Sequence, residues 1–270
     1  MKKRPLSVFK KIYLALIFSF MYVPIAVMIV FSFNESKSRT VFTGFTLNWY
    51  KNLFQNDMIL QSLALSLVIA VLSSVAATIL GTAAAVGIFS MKRRPRSAIL
   101  NLSYIPVINP EIITGVSLML LFVVFKNATT MKVFGFPTLL IAHITFNVPY
   151  IIFSIMPKLR QMDVRMYEAA LDLGCNPKQA FFKVILPEIM PGIVSGFLIA
   201  ITYSIDDFII SYFTSGTEQT LPIAIYSMTR KKVSPEINAL STIMFIVILT
   251  VLMIVNAKDS YDEKKNRVRK

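Results

Sequence analysis

Long stretches without a charged residue constrain this chain more than any other feature. A hydrocarbon core about 30 Å thick is crossed by roughly 20 apolar helical residues, and uncharged runs of that order occur at 12–33, 62–91, 133–156 and 237–257. Two more, 97–125 and 189–213, are interrupted only by Glu111 and by the pair Asp206 and Asp207. Lipid offers no partner for backbone N–H and C=O groups, so such runs must pair them internally as helices. The expectation is an all-α integral membrane protein with six transmembrane helices. A composition that is 55% hydrophobic and 16% charged agrees.

Six crossings put both termini on one side, and the basic residues say which. Lys and Arg number five before the first run, four at 92–96, five at 158–186 and six from Lys258 onward, twenty in all. The opposite side, at 34–61, 126–132 and 214–236, carries eight. The positive-inside bias places both tails in the cytoplasm. The first run exceeds the roughly 7–15 apolar residues of a cleavable signal, and no small-residue cleavage site follows, so it reads as a retained signal anchor. The layout expected is a cytoplasmic tail at 1–11, a first helix at 12–33, an extracytoplasmic loop at 34–61, a permease domain at 62–257 and a second cytoplasmic tail at 258–270.

A net charge of +14 suits nucleic acid, but the basic residues flank apolar spans instead of forming an aromatic-interleaved surface, so no nucleic-acid partner is expected. Cys175 is the single cysteine and His143 the single histidine. An internal disulfide and a Cys-rich metal site are thereby excluded, and His143, inside an apolar run, reads as packed or hydrogen-bonded.

Close approach through small residues drives packing between membrane helices. Ala77, Gly81 and Ala85 form one stripe and Gly192, Gly196 and Ala200 another, each suited to packing within the chain or against a second permease subunit. Pro106 and Pro110 in the third run, and Asn147 with Pro149 in the fourth, are expected to kink or interrupt their helices.

The segment 158–187 is too charged to span and too patterned to be a linker. Leu159, Met162, Met166, Ala169, Ala170 and Leu173 recur at helical spacing among Arg160, Asp163, Arg165, Glu168 and Asp172, the pattern of a short amphipathic helix. Gly174 follows as a C-terminal cap. Asn176 and Pro177 open a second short helix, which Pro187 should end or kink. An interfacial helix lying on anionic lipid is the plainer alternative; Glu168 and Asp172 speak against it.

Glu168, Ala169, Ala170 and Gly174, followed after nine residues by Val184, Ile185, Leu186 and Pro187, resemble the EAA loop of ABC importer permeases, with valine at 184 where isoleucine is commoner. The resemblance extends from about residue 13 to 255 and is strongest to the permease subunits of spermidine/putrescine importers, the PotC type, at AHITFNVPY (142–150), DVRMYEAALDLG (163–174), SIDDFIISYF (204–213), LPIAIYSM (221–228) and VSPEINALSTI (233–243). It implies an ABC type I importer (MetI-like) permease fold in the inner cell membrane. It also implies a homologous second permease subunit, two cytoplasmic ATPase subunits and an extracytoplasmic polyamine-binding protein as partners. Glu168, Ala169, Ala170 and Gly174 would then belong to the coupling helix held by the ATPase.

None of the nine glycines opens a G-x-x-x-x-G-K-[ST] loop. No cofactor is therefore expected in this chain; ATP and Mg would be bound by a partner subunit. Among the membrane runs the side chains of ionised type are Glu111, Asp206 and Asp207, all acidic, which favours a cationic substrate. Tyr203 lies one turn from both aspartates, where an aromatic face and a carboxylate can meet one ammonium group. The competing reading makes these acids caps or inter-subunit pairs. On a continuous helix the adjacent aspartates diverge by about 100°, so one should face a pathway and the other a neighbour.

Rival functions are a permease for another small solute and a secondary transporter. The second would show repeated halves and need no docking loop. An intramembrane enzyme would need a nucleophile and base or a metal set, and neither a catalytic constellation nor a metal site is expected.

Overall fold

The computed structural model describes residues 8–38, 41–129, 134–231, 235–247, 249–250 and 253. Helices dominate these residues, with one isolated antiparallel bridge between Asn34 and Phe45. The chain divides into two compact units, Met1–Asp57 with Ile225–Lys270, and Met58–Ala224.

In the first unit α1 (Val8–Phe31) is apolar and exposed around most of its circumference, as suits a helix in lipid. Ser32 closes it, its hydroxyl bonding Ile29 O at 2.6 Å and meeting the Tyr50 hydroxyl at 2.6 Å. Asn34 then organises the loop. Its buried amide donates to Ser38 O and Val41 O at 3.1 and 2.9 Å, and its oxygen accepts the Thr43 N–H at 2.9 Å. Phe33 stacks on Phe45, with ring centroids 5.3 Å apart. A short helix α2 (Asn48–Phe54) follows. The expected loop at 34–61 is thus partly helical, and α3 begins within it at Asp57, an acidic first turn that suits the helix dipole.

The second unit contains α3 (Asp57–Phe89, all but its first residue), α4 (Arg93–Ile108), α5 (Glu111–Thr129), α6 (Phe136–Gln161), α7 (Val164–Asp172), α8 (Pro177–Ala180), α9 (Leu186–Asp206) and α10 (Ile209–Thr214). Helix α11 (Leu221–Lys231) starts in it, its Leu221 N–H bound to Ser66 Oγ at 2.7 Å. Helix α6 is the spine. Gly81 of α3 lies so close to it that an added β-carbon would meet the Ile151 side chain at 2.6 Å. At Gly192 and Gly196 of α9 the same carbon would meet Ser154 O at 2.9 Å and Ser154 Cβ at 3.2 Å. Both small-residue stripes therefore pack inside this chain, on α6. Ile151, Ile152, Ile155, Met156 and Leu159 fill the space between, with Ala77, Ala85, Ile189 and Ala200 facing them.

Three expected boundaries change. The run at 97–125 is two helices, broken at Asn109, whose φ of −70° and ψ of 137° are the extended values a residue before proline prefers. The run at 189–213 also breaks: α9 stops at Asp206, Asp207 is extended, and α10 resumes at Ile209. Conversely, α6 continues unbroken through Asn147, Pro149 and Pro157 to Gln161, held by the helices packed along it, so residues 158–161 continue the helix of the fourth run. Pro106 is likewise carried inside α4.

Among the described residues, five helical runs are long and apolar enough to cross a membrane: Lys10–Phe31, Asp57–Phe89, Glu111–Ala128, Phe136–Gln161 and Pro177–Asp206. The sixth expected span is represented by the shorter apolar helix α12 (Pro235–Val247). Most of 248–257, residues 1–7 of the first tail and the whole tail at 258–270 lie outside the described residues.

Candidate functional site

Two sites in the second unit gather the residues singled out above. The first is the turn between α7 and α8. Asp163 caps α7 by accepting the Arg165 N–H at 3.0 Å. At the other end Gly174 N–H donates to Leu171 O at 2.9 Å and Cys175 N–H to Ala170 O at 3.0 Å, the two bonds of a Schellman cap. Gly174 has a φ of +89° with open space around it, so backbone conformation selects glycine there. Asn176 and Gln179 then form a reciprocal capping box, with bonds of 2.8 and 3.0 Å, and Pro177 occupies the first turn of α8. Both ends of the turn are locked.

Of the apolar residues expected on one face, Met162 and Ala170 are buried, whereas Ala169, Met166 and Leu173 are exposed, the last two by 51% and 86%. Glu168 is also exposed. Pro187 does not end the second helix. It has no N–H for the carbonyl four residues back, and the backbone widens just before it into a π turn, Phe181–Ile185, in which Leu186 N–H reaches Phe181 O. The helix then runs on from Pro177 to Asp206, so that one continuous helical run leads from the turn into a candidate membrane span.

The second site lies where the two helix breaks meet. Gly115 of α5 sits against α10, an added β-carbon being 3.5 Å from Ile209 O and 3.0 Å from the Phe213 ring. Glu111, the first residue of α5, is exposed and within electrostatic reach of Asp206 and Asp207. The two aspartates part company because the helix ends between them, not through the 100° step of a continuous helix. Asp206 is exposed, while Asp207 is 8% exposed. The Asp207 carboxylate accepts the Ile210 N–H at 3.2 Å and the Ser211 N–H at 2.7 Å, and lies 3.5 Å from His143 Nε2.

Tyr203 is 40% exposed, its ring 4.7 Å from that of Tyr150 and 6.1 Å from that of Phe146. Glu111, Asp206 and Tyr203 thus stand together with Tyr150, which the sequence reading had not singled out. No local signal marks Tyr150; it sits 53 residues from Tyr203 and meets it only through the α6–α9 packing. Ser204 and Ser211 were also missed. Asp207, a few residues before the amides it accepts, offers a readable capping pattern, but nothing local marks the Ser211 side chain, whose partner His143 is 68 residues away. An exposed carboxylate pair beside two tyrosine rings can neutralise and stack on a cationic group, and repels an anion.

The model of the family described as "binding-protein-dependent transport system inner membrane component" matches residues 77–258. The putrescine transport system permease protein PotI of Escherichia coli (strain K12) is 41% identical over 241 residues, covering 88% of this chain and 86% of that protein. The spermidine/putrescine transport system permease protein PotC of Haemophilus influenzae is 36% identical over 243 residues, covering 90% of this chain and 93% of that one. Among solved structures, a bacterial alginate ABC transporter in complex with an alginate pentasaccharide-bound periplasmic protein superposes with a TM-score of 0.70 at 15% identity, over 93% of this chain and 92% of the other. At that identity the likeness is one of fold.

Proposed function

This chain belongs to the family of binding-protein-dependent transport system inner membrane components, multi-pass membrane proteins with the MetI-like fold of ABC importer permeases, and from that premise we propose that it translocates polyamines of the spermidine and putrescine class across the cytoplasmic membrane. The observation that carries the substrate class is the acidic and aromatic group at the two helix breaks: Glu111, Asp206 and Tyr203, with Tyr150 beside them. Polyamines are flexible chains of ammonium groups joined by methylenes. Carboxylates meet the charges, and ring faces meet both the ammonium and the methylenes. The names of the relatives, putrescine and spermidine/putrescine permeases, support the same class.

In this reading the chain binds no nucleotide. Two ATPase subunits, holding ATP and Mg, dock on the cytoplasmic face at the α7–α8 turn, where Glu168, Ala169, Met166 and Leu173 are exposed and Ala170 and Gly174 set the shape. A homologous second permease completes the pathway, and an extracytoplasmic binding protein delivers the polyamine. Both termini face the cytoplasm, the permease domain spans 62–257, and the docking segment covers 158–187. Closure of the ATPases moves the capped pair, and the unbroken helix from Pro177 to Asp206 carries that movement to the acidic site. Alternating access follows from the spans rocking as rigid bodies.

Uptake of radiolabelled spermidine by the assembled transporter tests the assignment. Asp206→Asn keeps the shape and removes the charge; uptake should fall about tenfold or more, each ~1.4 kcal/mol of lost interaction being a factor of ten. Normal uptake in Asp206→Asn, in Glu111→Gln and in the double variant would refute the pathway role.

A further inference from the structure

The acidic site leaves one buried group unused. His143, in the N-terminal third of α6, is 2% exposed and touches both sides of the break that follows α9. Its Nδ1 lies 2.6 Å from Ser204 Oγ, in the last turn of α9. Its Nε2 lies 3.0 Å from Ser211 Oγ, in α10, and 3.5 Å from Asp207 Oδ2. Ser204 Oγ is in turn 3.1 Å from Ser73 Oγ of α3. Three helices, α6, α9 and α10, meet at one imidazole, and α3 joins them through Ser204.

The senses of these bonds are mutually consistent. An ionised carboxylate only accepts, so the proton belongs on Nε2, facing Asp207 and Ser211. Nδ1 then accepts the Ser204 hydroxyl proton, and Ser204 can accept from Ser73, whose one hydroxyl proton is shared with Ala70 O at 3.4 Å. Asp207 is held on its other side by the two amides that open α10. The imidazole therefore clasps α9 to α10 across the extended residue and keeps Asp207 turned inward. With Asp207 fixed, Asp206, the adjacent residue on the α9 side, is left pointing outward.

We propose that His143 is a positioning residue for transport, holding the break after α9 in the form that presents the Asp206 carboxylate to a cationic substrate. The inference rests on the pathway reading of Asp206, and a double-mutant cycle on spermidine uptake by the assembled transporter separates the two. His143→Leu keeps approximate volume and removes both bonds; uptake should fall about fivefold or more at equal amounts of assembled complex. His143→Gln, which retains a donor and an acceptor, should restore it to within about threefold. In the Asp206→Asn background, His143→Leu should add less than about a twofold loss, because residues that act through one another are not additive.

A full multiplicative loss in that background, or normal uptake in His143→Leu alone, overturns the positioning role while leaving Asp206 in the pathway. Normal uptake in Asp206→Asn removes the pathway reading and this inference together. If His143→Leu does not assemble, Ser204→Ala, which releases one side of the clasp, takes its place in the cycle with the same expected non-additivity.

Discussion

At Gly192 a β-carbon would stand 2.9 Å from Ser154 O and 3.2 Å from Ile155 Cα, both main-chain atoms of α6 that cannot swing aside. At Gly87, exposed on α3, the same carbon meets nothing within 4 Å. The two glycines are indistinguishable by residue type, and space alone separates their roles. Gly192→Val should destabilise the detergent-purified protein by roughly 1–3 kcal/mol, as overpacking of a close contact does. Gly87→Ala should leave stability within about 0.5 kcal/mol or raise it slightly, since alanine is the better helix former. Thermal unfolding of both variants checks the contrast; equal losses would show that the α6–α9 seam is not what sets stability. The stripe Gly192, Gly196 and Ala200 was readable in the sequence, but its partner was not. Spacing shows that a helix face is smooth, and only the fold shows what lies against it.

The capped pair α7–α8 is the element most fully legible before folding, because caps are local. Asp163, Gly174, Asn176 and Pro177 each act within four residues of their own position, and each does what its chemistry dictates. Gly174→Val forces a side chain into a φ of +89°, at a cost of about 1–2 kcal/mol, and Asn176→Ala removes the capping box at roughly 0.5–2 kcal/mol. Each variant should still reach the membrane yet lose association with the ATPase subunits, measured by co-purification; undiminished association in both would mean that a stiff turn is not required. The breaks were less legible. Pro110 and Pro149 pose the same local problem, but the chain yields at the first and stays helical at the second, where α3 and α9 press along α6. The break at Asp207 has no proline at all. It is made by the local cap that Asp207 places on the amides of Ile210 and Ser211 together with a tertiary contact to His143, a group that no window of sequence brings beside it.

On the scale of the whole molecule, alternation of apolar runs with basic segments revealed the class of protein, since it depends only on bilayer thickness and charge. The orientation proposed from the same asymmetry can be tested through one atom. Cys175 is the sole cysteine and lies in the turn between α7 and α8, partly exposed. A membrane-impermeant maleimide should label it in inside-out vesicles stripped of peripheral ATPase and leave it unlabelled in right-side-out vesicles; the reverse pattern would invert the topology. The first unit offers a comparable economy. Trp49 is the only tryptophan, and its indole N–H is bound to Asn34 O at 2.7 Å within the loop that the Asn34 side chain organises. Excited at the red edge of tyrosine absorption, the protein therefore emits from a single place. The colour of that emission reports the state of the loop after α1, and Asn34→Ala, by releasing the loop, should shift it to the red.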